Sequence, residues 1–351
     1  ESNGYVYLIN PNGILIGQDG VINTAGFLAS TLDLQDQDFL ANRAEGLAFY
    51  KVKDAGVINS GTITAWDGDV IFLGYSVDNY GYIKVPNGTM GMAAGHKIIL
   101  QSAAAECLFV ETTEEALTQR MMGVYNQGVI EALKTELKAD GNLYSYAVNN
   151  TGLINANEVK KNAGKVFLVA TKGTVVNAGQ ISANSAEENG GSIVLAGEKI
   201  WLHDGAYIMA TGKKGGGQIH IGPYENILPT VQVLVEEGVN LSVDCLGGGS
   251  GGTVVVASRH YTGFQGLIAA RGGSVSGQGG AVQISSCGCL QVLGAVDATT
   301  THGQMGTVHY AANQISIDDE KQTCRDWNAL QTFPLQAASH YHIEKLSREL
   351  Q

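Results

Sequence analysis

The sequence contains little charge, little proline and no cysteine arrangement typical of a zinc site. Of its 351 residues, 15% are charged and 5 are proline, and none of the 5 cysteines forms a C-x₂-C pair. No uncharged stretch is long enough to span a bilayer as a helix. The net charge of −12 and the lack of a basic stripe argue against a nucleic-acid partner. These absences leave a β-rich chain for which we predict no metal site and no cofactor.

Glycine, by contrast, is abundant, with 47 residues, and much of it belongs to a repeated word, V-x-N-x-G-x-I-x-small. Five clear copies begin at Val57, Val77, Val124, Val148 and Val175. Apolar residues at every second position predict strands with one buried face, and the intervening Asn and Gly predict tight corners. Each copy is therefore interpreted as strand, corner, strand.

A second word, Gly-x-apolar-x-apolar, alternates with the first along the chain. Its successive copies lie roughly 20 to 28 residues apart over long stretches, which is the spacing of a solenoid. A single coil cannot cover its own apolar face, so neighbouring coils must stack at about 4.8 Å. The sequence therefore predicts an all-β fold, a right-handed parallel β-helix (solenoid) with short helical or loop excursions.

The asparagines of the first word share the parity of the inward-facing Val and Ile. We expect them to form a corner ladder, in which stacked amides hydrogen-bond from coil to coil and satisfy polar groups that would otherwise be buried alone. This structural role is favoured over a catalytic one. The ladder residues are Asn59, Asn79, Asn126, Asn150 and Asn177.

Two segments interrupt the repeat. Residues 111–122 have the acidic start and apolar spacing of a short helix outside the coils, with Thr112 or Thr113 as its N-cap. In residues 133–146 the strand and helix patterns compete. The predicted division is 1–100 for coils that lack an amino-terminal part, 101–147 for interrupted coils, 148–318 for continued β-helix and 319–351 for a tail, cap or linker.

The opening run NGYVYLINPNGILIG, followed by GFLASTLDLQDQDFL, resembles the secretion domain of filamentous haemagglutinin-like exoproteins of two-partner secretion systems. VINSGTITAWDGDVIFLG and AVNNTGLINA are similar to later parts of the same family, and the resemblance covers roughly residues 4 to 317. The family's secretion domain begins upstream of the segment that matches Gly4. Its later coils carry tryptophans and an aspartate-proline pair, which this chain replaces at Ala257-Ser258 and Tyr310-Ala311-Ala312.

The resemblance implies an adhesin or haemagglutinin-like exoprotein, secreted or held at the cell surface of a Gram-negative bacterium. It also implies two kinds of partner, an outer-membrane two-partner transporter and a receptor on a host or bacterial cell, with a glycan as one candidate. The Asn-Pro-Asn-Gly-Ile turn lies in the family's secretion domain, which makes it the candidate for transporter recognition; the competing interpretation is a well-formed turn only. These residues are Asn10, Pro11, Asn12, Gly13 and Ile14.

Two other functions are alternatives to that of an exoprotein. Parallel β-helices also host polysaccharide lyases and hydrolases, which need paired carboxylates or calcium-binding aspartates beside an arginine. No such constellation is evident, so the chain is predicted not to be an enzyme. The third alternative is the stalk of a contact-dependent toxin. The carboxylate and arginine candidates are Asp67, Asp69, Glu187, Glu188, Asp204, Glu236, Glu237, Asp244, Arg259 and Arg271, and the adhesive aromatic candidates are Tyr75, Tyr80 and Tyr82.

Overall fold

The computed structural model of the protein describes residues 1–36, 39, 46–101, 106–111, 122–141, 144, 146–157, 164–224, 229–313, 315–318 and 339–342. The chain divides into two compact units, Glu1–Ser182 and Ala183–Gln351. All regular elements with defined bounds are strands. The first unit contains β1 (Tyr5–Ile9), β2 (Ile14–Ile16), β3 (Val21–Thr24), β4 (Gly26–Ser30), β5 (Leu32–Asp33), β6 (Leu47–Lys51), β7 (Gly56–Asn59), β8 (Thr62–Ala65), β9 (Val70–Gly74), β10 (Ser76–Asn79), β11 (Tyr82–Ala94), β12 (Lys97–Leu100), β13 (Leu108–Val110), β14 (Met122–Asn126), β15 (Val129–Ala139), β16 (Tyr146–Asn150), β17 (Leu153–Asn155), β18 (Lys165–Ala170), β19 (Thr174–Asn177) and β20 (Gln180–Ser182).

The second unit has the same composition of short strands. It contains β21 (Ser192–Ala196), β22 (Lys199–Leu202), β23 (Tyr207–Met209), β24 (Gln218–Ile221), β25 (Gln232–Val235), β26 (Asn240–Ser242), β27 (Thr253–Ser258), β28 (Tyr261–Phe264), β29 (Leu267–Ala269), β30 (Ala281–Ser286), β31 (Cys289–Val292), β32 (Ala295–Asp297), β33 (Thr307–Ala312), β34 (Ile315–Asp318) and β35 (Ser339–His342).

Copies of the repeated word pair in parallel within the first unit. Strands β7, β10, β14, β16 and β19 form one face of the coils, and each valine of the word lies opposite the valine of the next copy. The isoleucines of β8, β11, β15, β17 and β20 form a second column, from Ile63 through Ile83 to Ile181. Both columns are fully buried. The predicted all-β, right-handed parallel β-helix is confirmed.

Glycine at the corners is required by how closely successive coils approach. A Cβ on Gly81 would lie 2.1 Å from the carbonyl oxygen of Gly61 in the preceding coil and 2.8 Å from the side-chain nitrogen of Asn59. Any larger residue would separate the coils at this corner. The Asn-x-Gly pattern thus combines a buried amide with a close backbone contact.

An antiparallel sheet of four strands, in the order β13, β12, β6 and β5, lies outside the coils of the first unit. It contributes Leu32, Phe49, Ile98 and Leu108 to an apolar cluster that covers the outward-facing side of β4, β9 and β11, including Ile71. The repeat gave no sign of this sheet. The helix predicted at 111–122 lies almost entirely outside the described residues. The first half of the ambiguous segment 133–146, residues 133–139, belongs to strand β15.

In the second unit, apolar residues of the Gly-x-apolar-x-apolar word stack in one column from coil to coil. Ile193, Ile219, Val254, Val282 and Val308 lie opposite one another in β21, β24, β27, β30 and β33. Strand β35 pairs in parallel with both β31 and β34. Among the described residues, no helix has the length and apolar character needed to cross a membrane. The four-segment division of the chain stays a prediction.

Candidate functional site

The candidate recognition turn connects β1 to β2 and is closed by its own residues. The backbone N–H of Gly13 donates to the carbonyl oxygen of Asn10 at 3.1 Å, and the side-chain Nδ2 of Asn10 donates to the carbonyl oxygen of Gly13 at 3.0 Å. The N–H of Asn12 donates to Oδ1 of Asn10 at 3.1 Å. Gly13 has φ +116°, a conformation that favours glycine. The turn therefore needs no other part of the chain for these bonds.

Three residues of the turn have different neighbours in the rest of the first unit. Ile14 is buried and lies opposite Val57 of β7, so it belongs to the core of the first unit. Asn12 is exposed, and its Oδ1 accepts a hydrogen bond from Nζ of Lys53 at 2.5 Å. The backbone N–H of Asn10 donates to the carbonyl oxygen of Ser30 at 2.9 Å, which connects the turn to the end of β4.

The five asparagines of the repeat lie at one corner of the first unit and are fully buried. The first four donate from Nδ2 to Oδ1 of the next: Asn59 to Asn79, Asn79 to Asn126 and Asn126 to Asn150 at 2.8 Å, and Asn150 to Asn177 at 2.7 Å. All four of these hydrogen bonds run in the same direction along the stack. Amide-to-amide bonding satisfies donors and acceptors that no solvent reaches.

The three aromatic candidates have different environments. Tyr75 is only 3% exposed, with its ring stacked on His96 at 5.8 Å, so its prediction as an adhesive surface residue is wrong. The rings of His96 and Tyr144 pack beside it, which explains the burial. Tyr82 is half-buried and donates its hydroxyl to Oε2 of Glu131 at 2.7 Å. Tyr80 is 48% exposed, and its ring meets that of Tyr125 edge to face at 5.8 Å.

Sequence reasoning missed a buried cluster of charges on β15. Glu136 is 0% exposed and accepts hydrogen bonds from the backbone N–H groups of Cys107 at 2.8 Å and Leu108 at 3.0 Å. Lys138 donates to the carbonyl oxygen of Leu108 at 2.6 Å and pairs with Glu106. Only the alternation of Glu136 and Lys138 on one parity of β15 could have indicated it, once that segment was known to be a strand.

Burial and neighbouring charges oppose each other in setting the pKa of Glu136 and act together on the pKa of Cys107. Burial alone would raise the pKa of Glu136, but Lys138, Lys134 and the two backbone N–H groups hold it below its ordinary value. Burial and the Glu136 charge raise the pKa of the Cys107 thiol to about 12. Glu136 therefore stays ionised and Cys107 stays a neutral thiol at neutral pH.

Several of the carboxylate and arginine candidates form hydrogen bonds or ion pairs with neighbouring residues. Oδ1 of Asp69 accepts from the N–H of Thr89 at 2.7 Å, and the carboxylate of Asp244 binds Arg271 at 2.7 Å. Across the described residues, no group of three or more His, Cys, Asp or Glu side chains is arranged to hold a metal ion. The remaining contacts pair Glu187 with Lys213, Glu188 with Lys214, and Glu236 with Trp201, His203 and the backbone of Asp204.

Comparison with known proteins connects this fold to secretion. The sequence model of the TPS secretion domain, where TPS stands for two-partner secretion, matches residues 1–183. The heme/hemopexin-binding protein of Haemophilus influenzae is 32% identical over 150 residues, which are 40% of this chain and 16% of that protein. The crystal structure of the HMW1 secretion domain from Haemophilus influenzae is similar, with a TM-score of 0.60 and 26% identity over 87% of this chain and 80% of that one.

Proposed function

Because the chain belongs to the TPS secretion domain family, we propose that it is an adhesin-like exoprotein whose Asn10–Ile14 turn is recognised by the transporter. The chain is secreted or surface-associated in a Gram-negative bacterium, and its export partner is an outer-membrane two-partner transporter. The family evidence points to secretion-domain exoproteins rather than to enzymes, and the proposal includes no catalytic step.

The local closure of the turn is the observation that supports recognition. Three hydrogen bonds join Asn10, Asn12 and Gly13 to one another, so the turn is able to form in a chain whose coils have not yet stacked. A transporter that handles an unfolded chain needs a signal of this local kind. Asn12 is exposed and is the side chain of the turn that a partner reaches first.

Export of an Asn10→Ala variant tests this proposal. The substitution removes two side-chain hydrogen bonds of about 0.5–1.5 kcal/mol each, which corresponds to roughly a 5- to 150-fold loss of the turn in the unfolded chain. We expect a similar fall in the initial rate at which the exoprotein reaches the medium when it is expressed with its transporter.

Asn240→Ala is the matched control for this experiment. Asn240 Nδ2 also donates to a glycine carbonyl, that of Gly238 at 3.0 Å, in a turn of the second unit. Equal export of the Asn10 and Asn240 variants would reject the turn as the signal. A further variant, Asn12→Ala, separates contact with the transporter from turn formation, because it keeps both bonds between Asn10 and Gly13.

For the adhesive surface we propose the Tyr80–Tyr125 pair and the polar groups beside it, with a neutral glycan as the receptor. The hydroxyl of Tyr125 lies 3.1 Å from Oγ1 of Thr151 and 3.4 Å from Oε1 of Gln127. Aromatic rings bordered by hydroxyl and amide groups suit a sugar, which has an apolar face and a rim of hydroxyls. Gln127 and Thr151 are exposed, so the patch is open to a ligand.

Glycan binding by a Tyr80→Ser variant tests this surface. Tyr80 is exposed, so we expect a normal melting temperature together with at least a tenfold loss of affinity on a glycan array, equivalent to about 1.4 kcal/mol. Tyr207→Ser, at an exposed tyrosine of the second unit, is the control. Affinity that falls equally in both variants, or in neither, would remove the Tyr80–Tyr125 pair as the receptor site.

A further inference from the structure

Residues 106–110 are attached to the first unit in a different way from its coils. We call this segment the strap. Its strand, β13, has a single strand partner among the described residues, β12, and that pairing joins three residue pairs. Leu108 and Val110 of the strap are buried in the apolar cluster over β4, β9 and β11. The strap therefore covers apolar surface while making few backbone bonds to other strands.

Side chains of β15 supply the attachment that strand pairing does not. Both carboxylate oxygens of Glu136 accept backbone N–H groups of the strap, and Lys138 donates to the carbonyl oxygen of Leu108. Lys138 also lies over the ring of Phe109, 5.2 Å from its centre. Lys134 pairs with Glu136 at 3.1 Å on the other side. Glu136 accepts from N–H groups of the strap and Lys138 donates to one of its carbonyl groups, and we call this pair of residues the clamp.

The side of the strap that faces the coils fits a gap left by a glycine. A Cβ on Gly91 of β11 would lie 2.7 Å from Cδ1 of Leu108 and 2.8 Å from Cδ1 of Ile71. Leu108 therefore rests in a space that alanine would fill. The apolar contacts of Leu108 and Val110, the pairing of β13 with β12 and the clamp together hold the strap on the coils.

We infer that the strap opens and closes as a local unit, held shut by the Glu136–Lys138 clamp, while the coils beneath it stay folded. Opening uncovers the outward-facing side of β9, including Ile71 and Leu73, and the Cys107 thiol. The strap closes only when β15, which carries Glu136 and Lys138, is in place. This conformational device goes beyond the proposed export and adhesion functions and depends on neither.

Thiol labelling of the full chain provides the first test, because Cys107 reports on the strap, whereas Cys245 and Cys289 report on the coils of the second unit. Replacing Cys287 and Cys324 with serine leaves Cys107, Cys245 and Cys289, which are all buried. In a Glu136→Gln variant of this protein we expect Cys107 to be alkylated at least about tenfold faster than in the parent. Cys245 and Cys289 should keep their parental rates, as read by peptide mass spectrometry.

Glu131→Gln is the matched control, since Glu131 lies on the same strand with its carboxylate partly exposed. Alkylation of Cys107 no faster in the Glu136 variant than in this control would overturn the inference. So would acceleration of all three cysteines together, because that pattern means global unfolding.

Amide hydrogen exchange adds a second test. It uses the unsubstituted protein, so no charge is removed and no variant has to fold. Loss of the Glu136 charge also lowers the pKa of Cys107, whereas amide exchange, corrected for the intrinsic rate of each residue, reports opening without involving the thiol. We expect the N–H groups of Cys107 and Leu108 to exchange at least about tenfold faster than those of Val77 and Val124 in the coils. Equal protection of the strap and the coils would contradict local opening.

Discussion

Substitution of Asn126 by alanine tests the energetic role of the asparagine ladder. Asn126 is fully buried, accepts from Nδ2 of Asn79 and donates to Oδ1 of Asn150, both at 2.8 Å. Alanine leaves one donor and one acceptor buried without these partners, at about 1–3 kcal/mol each. We therefore expect the free energy of unfolding to fall by about 2–6 kcal/mol, before any cavity term.

Urea unfolding of the full chain, followed by circular dichroism, measures this loss. Asn59→Ala provides an internal scale, because Asn59 has one ladder neighbour, Asn79, and its substitution should cost about half as much in ladder bonds. Gln127→Ala, at the exposed neighbouring position, should change stability by less than about 0.5 kcal/mol. If Asn126→Ala were no more destabilising than Gln127→Ala, the ladder would not be a source of stability and our reasoning would be refuted.

Two further predictions concern the same unit. Gly81→Ala should destabilise it by about 1–3 kcal/mol through the clash with the Gly61 carbonyl oxygen, whereas Gly17→Ala, with no atom within 4 Å of the added Cβ, should be nearly neutral in the same urea experiment. Burial, and then the hydrogen bond and charge of Glu131, raise the pKa of Tyr82 from 10.0 to about 12. The folded state therefore favours the neutral phenol. This contribution to stability is present below pH 10.0 and is lost as pH rises through about 12. Glu131→Gln should lower the Tyr82 pKa in an ultraviolet titration that uses Tyr82→Phe to identify the signal, and an unchanged pKa would contradict the assignment to Glu131.

The repeated words allowed the coil to be predicted because their information is local. Alternation at Val57 and Ile63 separates an inward from an outward face within a few residues, and the recurrence of the word sets which residues of neighbouring coils lie opposite one another. The parallel pairing of Val57 with Val77 and of Ile63 with Ile83 follows this register. The role of Asn10–Ile14 in export and that of the ladder asparagines in stability remain predictions.

Features that interrupt the repeat could not be predicted from periodicity. The antiparallel sheet outside the coils joins residues 47–51 to residues 97–100, and neither segment carries a recurring pattern that identifies its partner. The same limitation applies to Tyr75, which lies between β9 and β10, and to the exposed Tyr80, which follows β10, because strand alternation does not extend to either position. The burial of Tyr75 results from His96 and Tyr144, which other segments bring beside it.

By itself, the sequence determined the coil, its register and the residues at its corners, because period-two alternation and glycine geometry act over a few residues and are repeated. Tertiary structure alone decided the strap and its clamp. Glu136 reaches the backbone of Cys107 and Leu108 from a strand nearly thirty residues away, and a buried carboxylate is tolerated there only because Lys134 and Lys138 lie beside it. Such pairing depends on where the folded coils place each side chain, and no local pattern records that position.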